Sequence, residues 1–242
     1  RVYFQIADYT NDRSWEKCAL NIARQYRDYI IRVNGALPGW GVFPHGLVMA
    51  YDRTHDESFK TALRLLVKSS AYAGSGGKLP DQFIRETAYA LQAYLMAEKL
   101  GEPRNPLASR SVAFLLSNFS QLFEGGNYSL HQTFYDGLAA AALIEWYEAT
   151  GDPRIPVAIR QMLDWVWNRG WSGSTLVYNP DPIGPRCAVS CQKYTTDLIN
   201  LVAPAFAWYW SITGDAEYLR RGDELFFHAT DSDVSYSGKI FS

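Results

Sequence analysis

The sequence predicts an all-α chain of repeated helix hairpins, arranged as an α/α toroid. Three observations carry this: a short turn phrase that recurs along the chain, a helical pattern on both sides of each copy, and an alternation between helices apolar nearly all round and helices apolar on one side. The phrase is clearest in Thr150-Gly151-Asp152-Pro153 and Thr213-Gly214-Asp215-Ala216. Weaker copies stand at Thr10-Asn11-Asp12-Arg13, Thr54-His55-Asp56-Glu57 and Leu100-Gly101-Glu102-Pro103. Successive copies are 44, 46, 50 and 63 residues apart, the periodicity of stacked helical units.

Each position of the phrase has a physical reading. Gly151, or Asn11 in a weaker copy, suits the left-handed residue that ends a helix. Asp152 is a good N-cap for the next helix, and Pro153 fits the first helical turn, where no amide donor is needed.

Taken in order, Val2 to Tyr9 reads as the end of an inner helix, and Arg13 to Val33 as an amphipathic outer one. Four complete pairs follow, over roughly 43 to 72, 82 to 123, 133 to 169 and 195 to 231. In the third, Gly137 to Trp146 is apolar nearly all round, whereas Ile155, Ile159, Met162, Leu163, Val166 and Trp167 form one apolar stripe with Arg154, Arg160, Gln161 and Asp164 off it. The first pattern requires cover on most faces and the second only on one. The fourth pair repeats the contrast, with Leu201 to Trp210 as the inner helix and Asp215 to Thr230 as the outer. The chain therefore holds about four and a half of the six hairpins of a closed ring, and sequence is expected beyond both ends, since Lys239 to Ser242 stops without a terminator. One domain over 1–242 is expected, as part of a longer chain.

With 242 residues, 48% hydrophobic and 20% charged, the chain can bury a single large core. No apolar run reaches the roughly 18 residues of a membrane helix, and no signal peptide is visible; such a segment is expected upstream if it exists. A net charge of −2 offers no basic field for a phosphate backbone, so neither membrane nor nucleic acid is an expected partner. No cofactor or metal is expected either. Cys18, on the first outer helix, reads as a small buried hydrophobe. Cys187 and Cys191 could form a local disulfide or stay free, and a zinc site with a histidine lacks the usual Cys-x-x-Cys spacing.

Function is expected where the chain is least economical. The connections from each outer helix to the next inner helix are long and rich in glycine and aromatics: Gly35 to Pro44 carries Trp40 and Phe43, Gly125 to Thr133 carries Tyr128 and His131, and Gly170 to Tyr194 carries Trp171 and Tyr178. Long loops on a rigid scaffold favour binding sites. Glu86 and Asp136 each stand 14 residues before the turn of their own hairpin, roughly 21 Å along an inner helix. Asp81, His45, His131, Tyr135, Lys193, Tyr194 and Asp197 fall near the same rim, and Arg85 flanks Glu86. Carboxylates, imidazoles and stacking aromatics suit a carbohydrate, whose ring faces pack on aromatics and whose hydroxyls need polar partners.

Each candidate has a structural alternative. Thr133 to Asp136 matches a capping box with aspartate in place of glutamate; Asp81 after Pro80 reads as an N-cap; Glu86 could pair with Arg85; Asp197 could serve the helix dipole. His45 could stabilise the Pro44-His45-Gly46 turn and His131 could be an ordinary loop residue, while His55 and His228 read as structural. Trp146, Trp165, Trp167, Trp208 and Trp210 read as core, and Trp40 and Trp171 as sugar platforms.

The inner/outer alternation, the repeated Thr-Gly-Asp turn, and segments such as Ala139 to Asp164 and Ile199 to Asp223 resemble the six-hairpin glycosidase-like superfamily of α/α toroids. The resemblance is architectural and covers essentially the whole chain. It implies glycoside hydrolases, polysaccharide lyases or sugar epimerases, with the site in the funnel at the inner-helix starts. The sequence leaves the compartment open between settings, with an extracellular or periplasmic one the expectation. A hydrolase would use paired carboxylates, here Asp136 and Glu86, with Asp81 and Asp197 in reserve. A lyase would abstract a proton with Tyr135 or His131 while Arg85 or Lys193 neutralises a uronate. A helical-repeat domain that only binds glycan or protein is the third reading.

Overall fold

The computed structural model describes residues 1–73, 83–123, 132–177, 194–195 and 198–231, with 194, 195 and 231 described by backbone alone. The described chain is all-α. Its ten α-helices are α1 (Val2–Thr10), α2 (Arg13–Arg32), α3 (His45–Thr54), α4 (Glu57–Ser69), α5 (Ile84–Lys99), α6 (Pro106–Phe123), α7 (Thr133–Thr150), α8 (Arg154–Trp165), α9 (Ala203–Thr213) and α10 (Ala216–Asp231). Two-residue strands β1 (Leu176–Val177) and β2 (Tyr194–Thr195) pair antiparallel.

The recurring phrase folds the same way each time. Asn11, His55, Gly101, Gly151 and Gly214 all have positive φ, between 53° and 93°, the conformation that ends a helix and suits Gly or Asn. The aspartate then caps the next helix: Oδ1 of Asp12, Asp56, Asp152 and Asp215 accepts the amide two residues on, at 2.8–3.1 Å. The threonine has a role that its spacing alone does not reveal. Its hydroxyl donates to the carbonyl four residues back at 2.7–2.8 Å and accepts the amide of the aspartate at 3.2–3.3 Å. One hydroxyl thus ties the last turn of one helix to the cap of the next.

The copy at Leu100 departs from this pattern. Leucine has no hydroxyl to bridge the turn, and Glu102 does not cap the next helix. The chain runs on to Asn105, whose Oδ1 accepts the Leu107 amide at 2.9 Å, and Pro106 opens α6. Glu102 instead pairs with Arg64 at 2.6 Å.

The contacts divide the chain into two compact units. In the first, 1–79 with 86–112, α2 packs against α1, α3 and α4, and α3 against α4. The shared core holds Phe4, Ile30, Leu47, Phe59, Leu63 and Leu66, together with Ala97 of α5; each fully buried large side chain is worth about 1.5–3 kcal/mol. Arg53 pairs with Asp8 at 2.6 Å and lies over the Phe4 ring, while Arg27 pairs with Asp56 at 2.7 Å and covers Phe59. In each case the guanidinium lies over the ring face and also meets a carboxylate, so the cation caps the core while its charge is paired.

In the second unit, 80–85 with 113–242, α7 packs on α8, on α9 and on the 3₁₀ turn Ile199–Leu201, and α9 packs on α10. Gly137 makes this possible, because a Cβ there would lie 2.2 Å from the Leu201 carbonyl oxygen. The outer helix predicted to run to 169 ends at Trp165 and continues as a π turn, Val166–Gly170.

The alternation of helix types is present in the burial. Ala139, Ala140, Ala142, Leu143 and Trp146 of α7 are all buried, whereas α2 buries only Ala19, Ala23 and Ile30. Two expectations are corrected. Cys18 is exposed, because it lies one position, about 100°, from Ala19 on the buried stripe. Helix α9 buries Ala203, Ala205, Phe206 and Tyr209 but exposes Trp210 and Ile212; within its unit its partners cover one side of it.

Candidate functional site

In the first unit the most developed loop is the connection from α2 to α3. Asn34 and Gly35 take positive φ of 51° and 76°, and the Gly35 amide reaches back to the Ile30 carbonyl at 2.9 Å, closing the helix end. Leu37 is buried, and its carbonyl accepts the Ala71 amide at 2.8 Å. The chain then makes a 3₁₀ turn at Gly39–Gly41. Tyr26 holds the far side of the turn: its hydroxyl donates to the Gly41 carbonyl at 2.6 Å and accepts the Phe43 amide at 3.0 Å. Burial pushes that phenol up to about 12, so it remains a neutral donor at any physiological pH. On this pinned loop Trp40 is 61% exposed and Phe43 52% exposed.

Beneath the turn lies Glu86, in the first turn of α5 and only 6% exposed. A Cβ on Gly39 would fall 2.7 Å from Glu86 Cγ and 2.7 Å from the Tyr72 ring, so the two side chains meet over a space that only glycine leaves open. Tyr72 itself has φ of 71°, an uncommon conformation for a bulky residue and a form of strain that gathers at functional sites. The next residue is anchored, since the Tyr94 hydroxyl donates to the Ala73 carbonyl. Tyr89, one helical turn after Glu86, meets Phe43 edge-on at 5.6 Å between ring centroids. His45 opens α3, half-buried, after Pro44.

In the second unit, the start of α7 forms another group. Thr133 does not cap the helix; Gln132 occupies that position without a side-chain bond, and the Thr133 hydroxyl donates 2.5 Å to the Val177 carbonyl. The capping-box alternative for Asp136 is therefore not realised, and Asp136 lies fully buried within the first turn. Tyr135 is half-buried, with the Arg85 guanidinium 5.8 Å from its ring centroid. Trp171 is buried: its indole donates to Glu224 at 3.1 Å and its ring lies 5.5 Å from His228.

Of the residues singled out from sequence, Trp40, His45 and Glu86 thus belong to the first unit, and Arg85, Tyr135, Asp136 and Trp171 to the second. Asp81, His131, Tyr178, Lys193 and Asp197, with Cys187 and Cys191, lie outside the described residues, and Tyr194 is described only as the backbone partner of Val177. Gly39, Tyr26, Tyr72 and Tyr89 escaped the sequence reading. Only Tyr89 left a usable signal, its spacing of three residues from Glu86 on one helix face.

Among the described residues no group of three or more His, Cys, Asp or Glu side chains converges as a metal site, and no helix is long and apolar enough to cross a membrane. Compared with known proteins, the chain is matched by no family model, no curated protein and no solved structure.

Proposed function

We propose that this chain is a carbohydrate-active domain of the α/α-toroid type, related in architecture to the six-hairpin glycosidase-like superfamily, and that it hydrolyses an oligo- or polysaccharide. The observation that carries this reading is Trp40, 61% exposed on the Gly39–Gly41 turn, whose first residue lies against the Glu86 stem. An exposed indole offers a flat face to the apolar side of a sugar ring, and a carboxyl beside it can serve the hydroxyls or the glycosidic oxygen. Glu86 is the carboxyl assigned to this chemistry in the first unit, and Asp136, in the same register 14 residues before its own turn, is the corresponding carboxyl of the second. In a glycoside hydrolase one carboxyl donates a proton to the leaving oxygen while a second activates water or attacks the anomeric carbon.

A lyase is the second reading, favoured by the Arg85–Tyr135 contact. There Tyr135 would take the proton beside a uronate carboxyl whose charge Arg85 neutralises. Incubation with neutral polysaccharides and with polyuronides separates the two: reducing ends without ultraviolet absorbance mark hydrolysis, and unsaturated uronates mark elimination. Retention of a polysaccharide with neither product leaves the non-catalytic binder.

A further inference from the structure

We propose that the α2–α3 loop is a two-ring clip for an extended glycan, in which Trp40 and Phe43 stack on neighbouring sugar residues of one chain and Tyr26 holds the two rings in register. This deepens the carbohydrate reading of the same rim and rests on it. It names the ligand class as an oligosaccharide or polysaccharide of at least two contiguous residues, and excludes a monosaccharide as the preferred ligand.

Both rings are more than half exposed, at 61% and 52%, and so offer faces on which a sugar ring can pack. They stand three residues apart on one loop, a separation of at most roughly 10 Å between α-carbons, which suits consecutive residues of a single chain. The loop is tied down by hydrogen bonds on both sides of Trp40. Leu37 anchors its start through the Ala71 amide, and the Tyr26 hydroxyl bridges Gly41 and Phe43, the residues immediately after Trp40 and at the second ring. Phe43 is braced by Tyr89 at 5.6 Å and Tyr26 at 6.4 Å, so its outer part stays presented. Pre-organisation of this kind removes the entropic cost of arranging two stacking groups. Glu86 and His45 stand on the adjoining helix starts and are side chains of the polar type that sugar hydroxyls bond.

The test is calorimetric titration of the whole chain with hexasaccharides of β-1,4-linked glucose, xylose and mannose and of α-1,4-linked glucose, and with the four monosaccharides. The clip requires that a hexasaccharide bind at least tenfold more tightly than its monosaccharide. It further requires that Phe43→Ala weaken the hexasaccharide about threefold to tenfold, and that Tyr26→Phe, which keeps the half-buried ring but removes both hydrogen bonds, weaken it about fivefold with the helical circular dichroism unchanged. If Trp40→Ala abolishes binding while Phe43→Ala and Tyr26→Phe match the wild type, the clip is overturned and the carbohydrate reading survives. Equal affinity for monosaccharide and hexasaccharide also overturns the clip alone. If no hexasaccharide binds the wild type, or Trp40→Ala and Phe43→Ala both bind normally, the clip and the reading fall together.

Discussion

Gly39 lies so close to Glu86 that a methyl group on its α-carbon would fall 2.7 Å from Glu86 Cγ, and equally close to the Tyr72 ring. No real Cβ contact is that short, so the glycine is required by the two side chains packed against it. Gly39→Ala must displace either Tyr72 or Glu86. The expected loss is about 1–3 kcal/mol in urea unfolding, with weaker glycan binding because the turn that carries Trp40 shifts.

Tyr72 provides the opposite experiment. At φ of 71° its backbone is strained, and Tyr72→Gly relieves about 1 kcal/mol of that strain while deleting a ring from the Glu86 surroundings. The unfolding midpoint should stay near the wild-type value, while turnover or affinity falls. A protein that loses its midpoint instead would show that the ring is held for packing.

The repeated turn predicts a graded series. Thr54→Val and Thr213→Val each remove a hydroxyl that bridges two helices and should cost about 1 kcal/mol in denaturant unfolding. Gly151→Ala meets no neighbouring atom within 4 Å, so its penalty of about 1 kcal/mol comes from φ alone. Asn11→Gly, at the same left-handed position in the first copy, should stabilise by about 0.5–1 kcal/mol. If Gly151→Ala is neutral, the left-handed reading of the turn is wrong.

The capping carboxylates give a pH dependence. Hydrogen bonds from Arg154, with those from Trp146 and the Arg154 amide, hold Asp152 well below the usual carboxylate range. The Ser14 amide does the same for Asp12, and the Ser58 hydroxyl and amide for Asp56. Arg220 and Arg221 hold Glu217 down at about 2. A folded carboxyl more acidic than the unfolded one contributes stability that is complete above the unfolded range near pH 4 and is lost as the pH falls towards the folded value. The thermal midpoint should therefore be flat from about pH 7 to 5 and fall between about pH 4 and 2. Asp152→Asn should begin lower and fall less steeply across that window.

What the sequence disclosed was local. A left-handed Asn11 or Gly151 followed by a capping aspartate needs only a few residues to be specified, so helix ends and hairpin register could be read directly. The bridging threonine was hidden because its partner is the carbonyl four residues back, which a turn-by-turn reading does not consult. Trp40 and Trp171 look alike in sequence, each an aromatic in a glycine-rich connection. They part because Trp171 finds Glu224, 53 residues along the chain, whereas Trp40 stands 61% exposed. Gly39 and Tyr72 were equally invisible, since their importance comes from meeting Glu86 across the first unit.

The central claim, that Glu86 under the Trp40 turn is a working carboxyl of a glycan hydrolase, is tested most directly by reducing-end release from the retained polysaccharide by wild type and Glu86→Gln, with binding measured alongside. Glu86→Gln should lose at least about a hundredfold in turnover while keeping affinity within a few fold. Undiminished turnover in Glu86→Gln, or a product that absorbs as an unsaturated uronate, would contradict it.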